Sequence, residues 1–114
     1  MNKQRLEKMT DDELKQTLIQ RKKKIEQQGQ SVVDNLSARA HRIERRYGFK
    51  GTTEISIMCR SNAKLIQNDL KYKIAEIDKA LAELEKGNPE KAQEVLKNEM
   101  PDWYNFIREI EELA

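Results

Sequence analysis

The sequence contains one histidine, His41, and one cysteine, Cys59, and together these two side chains could form a thiol–imidazole pair. Such a pair could activate a thiolate for nucleophilic attack. Cys59, however, belongs to an apolar helical stripe, and His41 lies about 140° around its own helix from the apolar Leu36. A thiol in such a stripe usually behaves as a small hydrophobic side chain. The sequence therefore predicts no catalytic residue and no enzymatic activity.

Metal and cofactor sites have equally little support in the sequence. One histidine and one cysteine cannot close a structural zinc site within a single chain. The carboxylates of the C-terminal part are spaced as solvated helix faces with ion pairs three or four residues apart. Gly48 and Gly51 flank Phe49 without forming a known phosphate-binding loop. We therefore expect no metal and no cofactor.

Basic side chains give the clearest candidate site. The spacing of Arg39, Arg42 and Arg46 places them in one stripe, about 90° from the apolar face of the same helix. Guanidinium groups form bidentate contacts with phosphates and carboxylates, so this stripe could bind nucleic acid or an acidic protein surface. The alternative is a solvated cationic helix end, because runs of charge are commonly solvated. The full candidate set is Arg39, Arg42, Arg45, Arg46, Lys50, Arg60 and Lys64.

The composition limits the kind of fold that can carry these residues. Hydrophobic residues make up 37% of the chain and charged residues also 37%, whereas typical domains are roughly 45–50% apolar and about 25% charged. Long helices that bury one narrow stripe suit these values, and so does assembly of several chains. The net charge of +2 hides an asymmetry, because residues 1–73 hold 17 Lys and Arg against 9 Asp and Glu, and residues 74–114 hold 5 against 11. This asymmetry is consistent with an acidic partner for the first part, or with contact between the two parts in an oligomer, although solvated helix faces are the commoner reason for such charge.

Two apolar stripes of matching length predict a helical hairpin. Steps of three and four residues keep each stripe on one helix face. Folding the chain about residue 50 places residue 43 near 57, residue 25 near 75 and residue 14 near 86, so the two helices are expected to be antiparallel. The first stripe is Leu14, Leu18, Ile25, Val32, Leu36, Ala40, Ile43 and Tyr47, and the second is Cys59, Ala63, Ile66, Leu70, Ile74, Ile77, Leu81 and Leu84.

Local signals set the ends of these helices and leave two alternatives open. Thr10 and Glu13 form a capping box, which predicts a helix start after a polar, frayed segment at residues 1–9. Gly29 costs about 1 kcal/mol inside a helix, so the first helix either runs from 11 to 47 or breaks there. We favour one continuous helix, because residues 18, 25 and 32 stay in phase. Residues 53–59 alternate apolar and polar side chains and could instead form a short strand, but no second strand is evident.

The C-terminal part begins with the strongest boundary signal in the chain. Gly87 suits a left-handed helix end, Asn88 a helix cap, and Pro89 a first helical position. Pro101 disfavours helix at the preceding residue, so we expect a bend between two short helices. The aromatic residues that follow this bend either cover the open end of the hairpin or anchor a partner or a second copy of the chain. These candidate anchors are Trp103, Tyr104 and Phe106.

Together these patterns predict an all-α, coiled-coil-like antiparallel hairpin with two short C-terminal helices, completed by self-association. The segments are residues 1–9, 10–87 and 88–114. The expected function is a non-enzymatic adaptor, inhibitor or assembly factor that binds a protein partner, and the alternative is a nucleic-acid-binding accessory protein. One cysteine cannot form an internal disulfide, and no apolar run approaches the roughly 20 residues of a membrane span. We therefore expect a cytoplasmic protein without a membrane segment.

Overall fold

The computed structural model describes residues 2–47 and 54–113. Helices make up 88% of these residues, and no strand occurs among them. Two long helices pack against each other and short helices follow, which confirms the predicted all-α hairpin. In chain order the helices are α1 (Lys3–Lys8), α2 (Asp11–Tyr47), α3 (Glu54–Glu85), α4 (Glu90–Lys97) and α5 (Tyr104–Leu113).

The chain divides into two compact units, and each unit contains a section of α2 and a section of α3. The first unit consists of Met1–Glu26 and Lys71–Pro101, so it also contains α1 and α4. The second unit consists of Gln27–Leu70 and Asp102–Ala114, and α5 is its third helix. Each unit is thus assembled from distant parts of the sequence, because a hairpin brings the two arms of the chain together.

In the first unit, α2 begins at the predicted capping box. The Oγ1 atom of Thr10 accepts a hydrogen bond from the backbone N–H of Glu13 at 3.2 Å, and the Glu13 carboxylate accepts one from the backbone N–H of Thr10 at 3.2 Å. Residues 3–8 are not frayed as the sequence predicts, but form α1. Leu6 is only 2% exposed, because α1 packs against α4, and Asn2 caps the helix through its side chain.

The end of α3 also follows its local sequence. Gly87 has a φ angle of +81°, the left-handed conformation that glycine adopts without strain. The backbone N–H of Gly87 donates to the carbonyl of Leu84 at 2.9 Å, and that of Asn88 donates to the carbonyl of Glu83 at 3.0 Å. These two bonds form a Schellman motif, which satisfies carbonyls that the helix end leaves unpaired. Helix α4 begins at Glu90, with Pro89 in the cap position that the sequence had assigned to Asn88.

In the second unit, both alternatives to a plain hairpin are wrong for the residues that the structure describes. Helix α2 is continuous through Gly29, so no break forms there. Residues 54–59 belong to α3 and are not a strand. The predicted connection at residues 48–52 and the cap at Thr52 or Thr53 lie outside the described residues.

Most members of the predicted apolar stripes lie in the core of the two units. Four of them are only half-buried, namely Ile43, Ile74, Leu81 and Leu70, for which full burial was expected. The side chain of Tyr47 lies outside the described part of the structure. The periodicity did not indicate Val33, Ser56 and Ala80, which are also buried. Besides these three, the core of the first unit is Leu6, Leu14, Leu18, Ile25, Ile77, Leu84, Ala92 and Leu96, and that of the second is Val32, Leu36, Ala40, Cys59, Ala63, Ile66, Trp103, Ile107 and Ile110.

Ion pairs between α2 and α3 show how the two helices are aligned. In the first unit, Lys22 Nζ lies 2.8 Å from Asp78 Oδ1. In the second unit, Arg60 Nη2 lies 2.5 Å from Glu44 Oε2. Lys22 and Asp78 are equally far from residue 50 along the chain, and the second pair departs from that symmetry by about one helical turn. The register therefore agrees with folding about residue 50.

Candidate anion-binding surface and the helix that flanks it

The arginines of the predicted stripe do not share one environment. Arg39 is partly buried, and its Nε donates to Asn35 Oδ1 at 2.7 Å. Its Nη2 donates to Glu111 Oε1 of α5 at 2.8 Å. The Arg39 guanidinium is therefore oriented by α2 and paired with a carboxylate within the second unit.

Arg60 is also occupied by a carboxylate. Its Nε and Nη2 atoms donate to the two oxygens of Glu44, each at 2.5 Å, which is the bidentate geometry that suits a guanidinium. These hydrogen bonds hold the pKa of Glu44 below its ordinary value and raise the pKa of Arg60. Arg60 thus joins α3 to α2, and its guanidinium is paired although the side chain is 53% exposed.

Two arginines of α2 are exposed and have no carboxylate partner among the described residues. Arg42 and Arg45 are exposed, and neither has an ion-pair partner among the described residues. At 100° per residue they lie about 120° and 180° from Leu36, on the side of α2 that faces away from the apolar stripe. We call this pair the outer arginine surface. His41, also exposed, lies beside it on the same helix.

The other members of the predicted set do not enlarge this surface. Lys64 is exposed but lies about 160° around α3 from the buried Ile66, so it projects from the opposite side of the helix pair. Arg46 is exposed and already takes part in an interaction. Lys50 lies outside the described residues. The structure therefore separates residues that the sequence placed together at one end of the hairpin.

The aromatic segment is built into the second unit. Trp103 is only 4% exposed, and its indole Nε1–H donates to Asp69 Oδ2 at 2.8 Å. The indole packs beside Gly29 and Leu70, so Trp103 covers its own hairpin midway along α2 and α3 and not at the open end, and its role as an anchor for a partner stays a prediction. Phe106 is half-buried, whereas Tyr104 is 45% exposed and remains available as an anchor.

Gly29 explains how the indole fits against α2. A Cβ atom built at Gly29 would lie 2.9 Å from Cζ3 of Trp103 and 3.0 Å from a methyl carbon of Leu70. Carbon atoms in contact are normally about 3.5–4.0 Å apart, so no larger residue fits without displacing its neighbours. We call this gap the Gly29 notch. From the sequence, Gly29 could be identified only as a residue that weakens a helix. Its position on the apolar face of α2 was the one sign of a packing role.

The two residues that could have formed a nucleophilic pair differ in burial. Cys59 is fully buried and His41 is exposed. Burial raises the pKa of the Cys59 thiol, although nearby Arg39 and Arg60 act in the opposite direction. A protonated, buried thiol is a poor nucleophile. Among the described residues, no cluster of three or more potential metal ligands is found.

The first unit contains a separate cavity of about 150 Å³. Arg21 lies in its wall and donates from Nη1 to the carbonyls of Val95 at 3.0 Å and Asn98 at 2.7 Å. These carbonyls end α4, where the helix dipole favours a cation. The guanidinium therefore serves as a cap for α4. Residues that line the cavity include Arg21, Ile25, Tyr72, Glu76, Glu94 and Pro101.

Comparison of the chain with models of protein families, with curated proteins and with solved structures found no match. None of the described helices is long and apolar enough to cross a membrane.

Proposed function

We propose that this chain is a non-enzymatic interaction protein, an adaptor, inhibitor or assembly factor that binds an acidic surface of a protein partner through its outer arginine surface. One observation carries the proposal. Arg42 and Arg45 are exposed without a carboxylate partner among the described residues, while Arg39 and Arg60 on the same unit each hold one. These two unpaired guanidiniums can bind carboxylates of a partner in the same way as Arg39 and Arg60 bind carboxylates within the chain.

Nucleic acid is the second candidate, and the small number of cations on the outer arginine surface weighs against it. Each phosphate contact contributes about −0.9 to the log–log salt slope on duplex DNA. Two arginines would therefore give a slope near −1.8, whereas a protein with 6–10 such contacts has a slope of roughly −5 to −9. The whole chain carries only +2, and its C-terminal part is acidic. An acidic protein surface, which needs fewer and more localised contacts, suits the geometry better.

The proposal includes a cytoplasmic location and self-association. A single cysteine, which cannot form an internal disulfide, fits a reducing compartment. Large apolar side chains remain exposed on α3, with Ile57 at 53% and Leu65 at 57%. A chain with so little core gains apolar burial by pairing, so we expect dimers or higher oligomers at tens of micromolar, detectable by sedimentation.

The test is partner capture with matched charge variants. The tagged wild-type chain is compared with Arg42→Glu/Arg45→Glu and with a control, Lys23→Glu/Lys24→Glu. The control makes the same charge change on exposed residues of α2. We expect the first variant to lose a partner with an acidic surface and the control to retain it, because reversed charges repel carboxylates at the contact.

Equal retention by both variants would remove the outer arginine surface from the functional account. A parallel salt titration of DNA and RNA binding tests the second candidate. A slope much steeper than about −2, flattened by about one unit per arginine removed, would favour nucleic acid over protein.

A further inference from the structure

The cavity of the first unit contains a cation that pairs with none of the described carboxylates. Arg21 Nη1 donates to the carbonyls of Val95 and Asn98, whereas Nε and Nη2 of the same guanidinium donate to no described residue. Burial lowers the pKa of this guanidinium, and no nearby carboxylate raises it. Every buried side-chain nitrogen or oxygen among the described residues has a hydrogen-bond partner. Nε and Nη2 of Arg21 are therefore open to solvent and can be reached by a ligand.

The free edge of Arg21 has the geometry to bind a carboxylate. Arg60 binds both oxygens of Glu44 through its Nε and Nη2 atoms, and these are the two atoms that Arg21 leaves without an acceptor. This edge of a guanidinium presents two parallel N–H donors, which match the two oxygens of a carboxylate. A partly buried charge without a counter-ion is unfavourable, and backbone carbonyls offset only part of that penalty because they carry no net charge. A carboxylate supplied by a ligand would complete the site.

Apolar side chains form another part of the cavity wall. Ile25 and Ile77 line the cavity and are only 2% and 1% exposed, and Val95 and Pro101 line it as well. The cavity volume of about 150 Å³ is of the size that holds a benzene ring in an apolar cavity. A ligand of this site therefore has an apolar body of about six carbon atoms or fewer.

The carboxylates that line the cavity disfavour a simple anion. Glu76 is neutralised by Lys91, whose Nζ lies 2.7 Å from its Oε2. Glu99 is exposed and has no ion-pair partner among the described residues, and Glu94, also exposed, has only Lys91 at 3.9 Å. The second cation of the wall, Lys73, already takes part in an interaction. A ligand with a positive group beside its carboxylate would therefore pair with both the free cation and the free carboxylate of the cavity.

We propose that this cavity binds a small zwitterion with an apolar side chain, the chemical class of the free aliphatic amino acids. Its carboxylate accepts from Nε and Nη2 of Arg21, and its ammonium group pairs with Glu99. Its side chain packs on Ile25 and Ile77. The site lies within the first unit and requires neither the outer arginine surface nor a second copy of the chain. It gives the chain a small-molecule ligand in addition to the protein partner proposed above.

Three probes that differ by one charged group test this assignment on the wild-type chain. Leucine has both charges, isocaproate lacks the amine, and isoamylamine lacks the carboxylate. We expect leucine to shift the backbone amide NMR signals of Ile77, Val95 and Asn98 saturably, with half-saturation near about 1 mM, a modest affinity for a ligand of few atoms. Isoamylamine should bind at least about tenfold more weakly, because it leaves the free edge of Arg21 unfilled. Isocaproate should bind about two- to fivefold more weakly, since an exposed ion pair contributes little.

Matched variants assign the two charged contacts to their residues. Arg21→Gln removes the guanidinium and should weaken leucine binding at least about tenfold without weakening isoamylamine. Glu99→Gln should weaken leucine binding about two- to fivefold without weakening isocaproate. The control, Glu85→Gln, changes an exposed carboxylate of the same unit that does not line the cavity, and it should bind all three probes as the wild type does. Circular dichroism first verifies that each variant is helical, because Arg21 also caps α4.

Absence of shifts at these amides up to about 20 mM leucine would overturn the proposal, since that is about twenty times the expected half-saturation. Equal binding of the three probes would overturn it as well, and so would unchanged leucine binding by folded Arg21→Gln. If Arg21→Gln does not fold, the comparison of the three probes on the wild-type chain decides. Partner capture through Arg42 and Arg45 concerns residues of the second unit and is measured separately, so failure of either proposal leaves the other testable.

Discussion

Replacing Gly29 by alanine should destabilise the chain, although alanine is the better helix former. The substitution gains about 1 kcal/mol of helix propensity. Against this, the new Cβ would lie 2.9 Å from Cζ3 of Trp103 and 3.0 Å from Leu70, which is about 0.6 Å closer than normal carbon contacts. Overpacking of this kind costs about 1–3 kcal/mol. The expected net change is a loss of about 1 kcal/mol in the free energy of unfolding.

The sign should reverse when the indole is absent. In a Trp103→Ala background the space above Gly29 is empty and Leu70 can turn away, so Gly29→Ala should stabilise by about 1 kcal/mol. The coupling between the two positions is then about 2 kcal/mol. Urea denaturation of the four chains measures it. Ser31→Ala, at an exposed position of the same helix, is the control and should have the same sign in both backgrounds. Stabilisation by Gly29→Ala in both backgrounds would refute the notch.

Two further predictions concern the hairpin. Ile77→Ala should lower the free energy of unfolding by about 2–5 kcal/mol because Ile77 is 1% exposed. Leu70→Ala should lower it less because Leu70 is half-buried. Equal losses in urea denaturation would contradict this difference in burial. Arg60 lowers the pKa of Glu44. The pair therefore stabilises the fold at pH values above the pKa of an unfolded Glu, about 4.3. This stabilisation is lost as the pH falls through the lower pKa that Glu44 has in the folded chain. The Glu44→Gln variant should lose less stability than the wild type between about pH 5 and 3, and parallel pH profiles would count against the pair.

Local patterns in the sequence were sufficient for the hairpin. The 3.6-residue period identified the buried face of both long helices, because each helix turn depends only on its own neighbours. The capping box at Thr10 and the glycine end at Gly87 were equally readable, since their hydrogen bonds join residues within five positions of each other. Helix α1 was missed because only one of its six residues, Leu6, is apolar, which leaves no period to detect.

The candidate site was less predictable because its chemistry depends on distant contacts. Arg39 meets Glu111 across 72 positions, Trp103 meets Asp69 across 34, and Arg21 reaches the end of α4 across 74. Spacing along α2 gives only the angle of each arginine around the helix. It could not indicate which of them a distant carboxylate would neutralise, and so which would remain for a partner.

The central claim is that Arg42 and Arg45 bind an acidic protein surface, and the most direct test is a comparison of dissociation constants. Once a captured partner is purified, its affinity is measured for the wild type, for Arg42→Glu/Arg45→Glu and for Lys23→Glu/Lys24→Glu. We predict at least about tenfold weaker binding for the arginine variant, equivalent to about 1.4 kcal/mol, and less than about a twofold change for the lysine control, since isolated surface charges contribute little. Equal affinities for all three chains would contradict the account.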